Sequence, residues 1–188
     1  MKTKPSSEYV LLGALMSGPK HGYEIMQFTE NALGETWFVG TSQLYALLKK
    51  LELQGLVQST LAHQDTRPSK RIFTMTPEGK DAFLNWLHAP ARHVRDFRIE
   101  FMAKLFFFNH LSIRGGKKLI DAQIGLLKDV RLKLKQNQSA ETEPYNRLVY
   151  GFKLSTVDAR LKWLSQKAGP FMEQMDVALD RPGRNRTH

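Results

Sequence analysis

The segment from Thr41 to Gly55 constrains this 188-residue chain more than any other. On a helical wheel with about 100° per residue, one narrow face collects four leucines: Leu44, Leu47, Leu48 and Leu51. The opposite side carries polar groups and one methyl, namely Ser42, Tyr45, Ala46, Lys49 and Lys50, with Gln43 at its edge. In the major groove of DNA, amides and hydroxyls of such a face reach base edges while lysine and tyrosine hold phosphates. An ordinary amphipathic helix with a solvated face gives the same pattern, so the flanking segments must decide between the two.

Two further helices are predicted before this segment. The first carries Glu8 in its opening turn and stops at the Gly- and Pro-rich stretch 17–22. The second runs from about Tyr23 to Gly34, which is a typical C-terminal cap. Three short helices with tight connections, the third of which has a polar face, predict a helix-turn-helix.

After the third helix the pattern changes to the alternation of β-strands. Segments 57–62 and 71–75 alternate or favour β-structure and predict a two-stranded hairpin. The sequence Thr76-Pro77-Glu78 then starts another helix with a hydroxyl cap and a proline in the first turn. Three helices, a hairpin and a helix make a winged helix. The tip of the wing would place cations along the phosphate backbone: Arg67, Lys70 and Arg71.

Several spaced motifs between residues 8 and 88 resemble the PadR family of bacterial transcriptional regulators, which have a winged-helix domain. These motifs are Leu11-Leu12-Gly13, the stretch 18–25, Gln43-Leu44-Tyr45, the stretches 48–52 and 55–57, and the stretch 70–79. Beyond residue 90, a Phe-rich helix and two long helices resemble the larger PadR subgroup, which includes virulence activators of the AphA type.

The resemblance implies a homodimer that binds palindromic operator DNA and often represses neighbouring genes. It also implies that Tyr45, with Gln43 and Lys49, contacts DNA, and that the wing from Arg67 to Arg71 contacts the backbone. Family members often show Ser-Leu-Tyr-Pro where this chain has Gln43-Leu44-Tyr45-Ala46, so the operator sequence does not follow from the resemblance. The predicted DNA-binding residues are Thr41, Ser42, Gln43, Tyr45, Lys49, Lys50, Arg67, Lys70 and Arg71.

The second half of the chain is predicted to be helical throughout. A segment over 94–111 is apolar on most sides and requires cover on most sides, for which a partner subunit is an economical source. Two long helices follow, from Ser112 to about Gln138 and from near Pro144, with apolar spacings typical of paired helices. We therefore expect a mainly α protein: a winged helix-turn-helix domain over 1–90, an all-helical dimerisation domain over 91–180 and a disordered tail over 181–188.

The net charge of +10 is not evidence for DNA binding by itself, because of its distribution. Residues 1–90 contain 9 lysines and arginines against 8 acidic residues, whereas residues 91–188 contain 19 against 10. The predicted reading domain is thus nearly neutral, and the local grouping of its cations matters more than the total. The excess in the second half can attract DNA at long range or can be a solvated surface.

Two other functions are compatible with the sequence. Aromatic residues of the second half can line a pocket for a small aromatic effector, or they can be ordinary core: Phe97, Phe101, Phe106, Phe107, Phe108 and Trp163. Alternatively, the chain is a helical interaction module that binds protein and no specific DNA. Binding to its own promoter region distinguishes this alternative from a regulator.

No enzyme, cofactor or metal motif stands out. The Ser17-Gly-Pro-Lys20 sequence matches the Ser-x-x-Lys motif of penicillin-binding enzymes. However, Pro19 stops the helix that would present both side chains. His88 and His93 are five residues apart and so do not share a helical face. Because the chain has no cysteine and no apolar run of the roughly 18 residues a membrane span needs, we expect a cytoplasmic protein without metal or cofactor.

Overall fold

The computed structural model describes residues 7–34, 37–64, 67–92 and 97–180, with only the backbone described at 62–64 and 67–70. The elements in the first half are α1 Ser7–Leu15, β1 Lys20–His21, α2 Gly22–Leu33, α3 Thr41–Leu53, β2 Val57–Gln64, β3 Arg67–Met75 and α4 Pro77–His88. The helices in the second half are α5 Glu100–His110, α6 Gly116–Ala140, α7 Pro144–Trp163 and α8 Gly169–Asp180, with a π-helical turn at Leu164–Ala168. This confirms a winged helix-turn-helix followed by a helical region. The predicted disordered tail at 181–188 lies outside the described residues.

The chain forms two compact units. Unit 1 comprises the chain up to Ala89 together with Arg98–Leu111, and unit 2 comprises Pro90–Phe97 together with the chain from Ser112 onward. Helix α5 therefore belongs with the winged helix, whereas the sequence pattern groups it with the second domain. The division of the chain into functional domains stays a proposal.

Helix α5 joins unit 1 because its apolar side chains find their cover there. The Phe107 ring is fully buried and packs edge-to-face on Phe83 of α4, with ring centroids 5.4 Å apart. It also lies against Gly13 of α1, where an added Cβ would come within 2.3 Å of the ring. Phe101 and Phe108 are likewise fully buried. The expectation that a partner subunit covers this Phe-rich helix is therefore wrong for these three rings.

A buried lysine, Lys104, fixes the N-terminal half of α5. The Nζ of Lys104 donates to the Ala89 carbonyl at 2.6 Å and to the Glu100 carboxylate at 2.7 Å, and it lies 4.9 Å from the centroid of the Trp86 ring. Burial lowers the pKa of Lys104, and the Glu100 carboxylate opposes that shift. Hydrogen bonds of a charged group to two acceptors compensate its removal from water, so this contact fixes α5 against the end of α4.

Helix α1 is the centre of unit 1. It is buried on nearly all sides, with Val10, Leu11 and Leu12 fully inaccessible, and it contacts α2, α3, α4 and β3. The wing forms a three-stranded antiparallel sheet in the order β1-β3-β2. The sequence predicted two strands and missed β1, in which Lys20 pairs with Phe73 and His21 with Ile72.

Unit 2 consists of the long helices α6 and α7, with α8 also packed on α6. The Asp176 carboxylate of α8 accepts hydrogen bonds from the backbone N–H groups of Gly115 and Lys117, at 3.1 and 3.0 Å. At the start of a helix such N–H groups have no acceptor within the helix itself. Asp176 therefore caps α6 and also fixes α8 to it. Helix α7 continues into α8 through the π-helical turn, in which the Gly169 N–H donates to the Leu164 carbonyl. None of the described helices combines the length and apolarity needed to cross a membrane.

Candidate nucleic-acid interface

Helix α3 separates its two faces as the sequence predicted. Leu44, Leu48 and Leu51 are fully buried, so the helix is anchored along its whole length. The other face is open to solvent and carries the six predicted contacts of this helix: Thr41, Ser42, Gln43, Tyr45, Lys49 and Lys50. The buried leucines thus fix the direction in which the polar groups point.

The beginning of α3 is suited to an anion. Gly40 occupies the N-cap position and makes no side-chain hydrogen bond to the helix. The first backbone N–H groups of a helix have no partner within it and lie at the positive end of its dipole. A helix start without a side-chain cap, next to the exposed Ser42 and Gln43, is a suitable site for a DNA phosphate.

Tyr45 lies across the gap between α3 and the start of α2. Its side chain is 47% exposed, and its phenol lies directly over Gly22, the first residue of α2. A Cβ added at Gly22 would be 2.4 Å from the Tyr45 Oη and 2.6 Å from Cζ. Only glycine at this position leaves the phenol room to lie there, so Gly22 determines where Tyr45 is presented.

We expect Gly22→Ala to impair DNA binding with little loss of stability. The added methyl group must displace the Tyr45 ring, which is half-exposed and can turn away. If the displaced phenol forfeits a hydrogen bond of about 1 kcal/mol in each half of a dimer, operator affinity should fall by tenfold or more, as measured by fluorescence anisotropy. The control is Gly125→Ala, where an added Cβ meets nothing within 4 Å. Unchanged affinity in Gly22→Ala would mean that the position of the phenol is irrelevant to binding.

The two adjacent lysines of α3 have different surroundings. Lys49 is exposed on the polar face. Lys50 instead forms an ion pair with Glu8 of α1, whose side chain is only 4% exposed. A carboxylate removed from water requires a partner of opposite charge. Lys50 was predicted as a DNA contact, but its charge is used to hold α3 against α1, and its place among the contacts stays a prediction.

The wing cations also differ from one another. Arg71 forms an ion pair at 2.9 Å with Glu52 at the end of α3, and its place among the DNA contacts stays a prediction. For Arg67 and Lys70 the structure describes the strand backbone, in which Arg67 pairs with Gln64 and Lys70 with Ala62. Their side chains lie outside what is described. The sequence analysis did not identify Glu8 as the partner of Lys50 or Glu52 as the partner of Arg71.

The aromatic residues considered for an effector pocket do not form one group. Phe101, Phe107 and Phe108 are core side chains of unit 1. In unit 2, Phe97 packs edge-to-face on Trp163, with centroids 6.1 Å apart, and the Arg160 guanidinium lies 5.2 Å from the Phe97 centroid. Burial lowers the pKa of Arg160, and its Nη1 has no acceptor within the described part of the chain. Among the described residues, no three acidic or histidine side chains are grouped as metal ligands.

Comparisons with the sequences of known proteins find similarity to transcriptional regulators. Residues 11–85 match the model of the transcriptional regulator PadR-like family. The chain is 34% identical over 120 residues to the negative transcriptional regulator PadR of Bacillus subtilis, an alignment that covers 62% of this chain and 64% of that protein. It therefore spans slightly less than two thirds of this relative.

Solved structures give a weaker likeness over a longer stretch. Bacillus subtilis PadR in complex with operator DNA is 24% identical, with a TM-score of 0.48, and the match covers 90% of this chain and 99% of that one. The same protein in complex with p-coumaric acid is 26% identical, with a TM-score of 0.39, over 93% and 98% of the two chains. The predicted likeness to the AphA-type subgroup is not confirmed by these matches and stays a prediction.

Proposed function

We propose that the chain, which resembles the PadR-like family of transcriptional regulators over residues 11–85, is a sequence-specific DNA-binding repressor. It acts as a homodimer on a palindromic operator, in the cytoplasm where the chromosome is accessible. The repressor assignment follows the relative described as a negative regulator. The alternative is a protein-interaction module that binds no specific DNA. No observation on the described residues favours this alternative over a regulator.

One observation carries this proposal: a helix with a fully buried leucine face turns hydroxyl, amide, phenol and ammonium groups outward. In a winged helix the third helix is the one that enters the major groove. Amides at Gln43 and hydroxyls at Thr41 and Ser42 are able to read base edges, and Lys49 supplies a charge for a phosphate. A two-fold dimer presents two such helices about 34 Å apart, one turn of B-DNA.

Lys49→Ala should weaken binding to any duplex and reduce its salt dependence. Removal of one lysine–phosphate pair lowers the slope of log affinity against log salt concentration by about 0.9, hence by about 2 for a dimer. The control is Lys80→Ala, which removes an exposed lysine from α4 instead. The measurement is anisotropy titration of a DNA fragment selected by the wild-type protein, at several salt concentrations. An unchanged slope for Lys49→Ala would place this lysine outside the interface.

The surface proposed for dimerisation is a stripe on α7. Tyr145, Leu148 and Phe152 are each about 70% exposed (69%, 69% and 73%), and residues spaced by three and four share a helical face. The opposite side of α7 carries the buried Leu154 and Val157 and packs on α6. Large apolar side chains aligned in this way are typical of an interface rather than of a solvated helix.

Response to a small aromatic effector is a second part of this proposal. Its support in this chain is the aromatic pair Phe97 and Trp163 with Arg160 beside it. An aromatic carboxylate would stack on the rings and accept a hydrogen bond from the guanidinium. This part of the proposal is independent of DNA recognition, which does not require an effector.

A further inference from the structure

We propose that Glu52 and Arg71 are positioning residues that set the angle of the wing relative to the reading helix and so contribute to operator specificity without touching DNA. This inference rests on the proposed DNA-binding function. It concerns a contact at the end of α3, where the helix meets the two long strands of the wing.

Three elements converge on the Glu52 carboxylate. Its Oε1 accepts a hydrogen bond from the Ser59 hydroxyl of β2 at 2.6 Å. The Arg71 guanidinium of β3 donates from Nη2 to both carboxylate oxygens, at 2.9 and 3.1 Å. The Nε of Arg71 donates to the Ser59 hydroxyl oxygen at 2.7 Å. The reading helix α3 and the wing strands β2 and β3 are therefore joined by one closed network of hydrogen bonds.

The Arg71 guanidinium also packs on an aromatic ring. It lies 5.7 Å from the centroid of the Phe73 ring, and Phe73 is only 2% exposed. Charge-assisted bonds in a fork are directional, and an aromatic face restricts the plane of the guanidinium. An isolated surface ion pair contributes little to stability. The value of this network lies in the orientation it imposes.

A small change at this network moves the tip of the wing by a large distance. Arg71 stands opposite Leu61, and the described pairing continues to Gln64 opposite Arg67. Four residues of strand extend about 13 Å, so a pivot of about 10° at Arg71 moves the backbone at Arg67 by about 2 Å. That is enough to break a hydrogen bond to a phosphate.

The sign of the effect of Glu52→Gln distinguishes positioning from simple charge masking. The substitution keeps the shape of the side chain but removes a negative charge near DNA. If Glu52 only masked Arg71, the variant would bind every duplex more tightly. If it positions the wing, affinity for the operator should fall by about five- to tenfold, or about 1–1.4 kcal/mol, while affinity for non-operator DNA stays equal or rises slightly.

The experiment measures the ratio of two affinities on the full-length protein. One duplex is a fragment that the wild-type protein selects from its source genome, and the other is a shuffled duplex of equal length and composition. The matched control is Glu30→Gln, which makes the same substitution at an exposed glutamate of α2 and should change both affinities equally. A purely stabilising role would lower the melting temperature and the active fraction but leave the ratio unchanged.

Arg71→Met gives a second, independent readout. Positioning predicts a lower operator ratio with an unchanged salt slope, whereas direct pairing with a phosphate predicts a slope smaller by about 0.9 for each such pair. Equal tightening on both duplexes by Glu52→Gln, an unchanged ratio, or a reduced slope in Arg71→Met would each overturn the inference. If the wild-type protein selects no fragment at all, the proposed function itself fails, which is a separate outcome.

Discussion

Phe107→Ala should lower the free energy of unfolding by about 3–5 kcal/mol. Phe107 is fully buried and joins α5 to α1 and α4, so its removal leaves a cavity between three helices. For a chain of this length, the destabilisation corresponds to a fall in melting temperature of about 6–20 °C. The measurement is thermal unfolding followed by circular dichroism. Phe38→Ala removes the same ring from a position 75% exposed and should change stability by no more than about 0.5 kcal/mol.

Gly13 on α1 provides a second test of the same packing. Gly13→Ala alone should be destabilising by about 1–3 kcal/mol, because its methyl group would overlap the Phe107 ring. In the Phe107→Ala background the ring is gone and alanine is the better helix residue by about 1 kcal/mol. The same substitution should therefore become neutral or stabilising there. A constant cost in both backgrounds would show that Phe107 does not pack on α1 in this way.

Phe152→Asp should convert the proposed dimer to a monomer and reduce operator affinity by at least about 100-fold. In a symmetric interface every substitution occurs twice. Removal of each ring forfeits about 1.5–3 kcal/mol of apolar burial, and an unpaired carboxylate in its place adds a cost of removal from water. A monomer also makes only half of the DNA contacts.

Light scattering at micromolar concentration measures the outcome directly. The wild-type protein should have the mass of two chains and Phe152→Asp the mass of one. Asn146→Asp is the control, because it adds the same charge at an exposed position of α7 that is off the stripe of Tyr145, Leu148 and Phe152. A wild-type monomer, or a Phe152→Asp variant that remains a dimer, would contradict the assignment of this surface.

The elements that carry strong local signals could be predicted from the sequence. Helix α3 was predicted because four leucines repeat with helical spacing, and three of them, Leu44, Leu48 and Leu51, are fully buried. Helix α4 was predicted from the cap at Thr76, whose hydroxyl accepts a hydrogen bond from the Gly79 N–H at 3.1 Å. Both signals lie within one or two turns of chain and need no tertiary contact.

What depends on distant contacts could not be predicted. Strand β1 is two residues long and exists only because β3 pairs with it. Lys50 and Glu8 are 42 residues apart in sequence, so no local pattern shows that this lysine is already paired. The apolar surface of α5 predicted that cover was needed, but not that Phe101, Phe107 and Phe108 are already buried within the same chain.

Selection of bound sequences by the wild-type protein and by Gln43→Ala tests the central claim most directly, namely that the exposed face of α3 reads duplex DNA twice in each assembly. The account predicts that the wild-type protein enriches a palindrome whose half-sites are about 10 base pairs apart, centre to centre. It further predicts that Gln43→Ala loses preference at the same position in both half-sites while other positions keep theirs. Enrichment of no sequence, or an identical preference at every position in the variant, would contradict it.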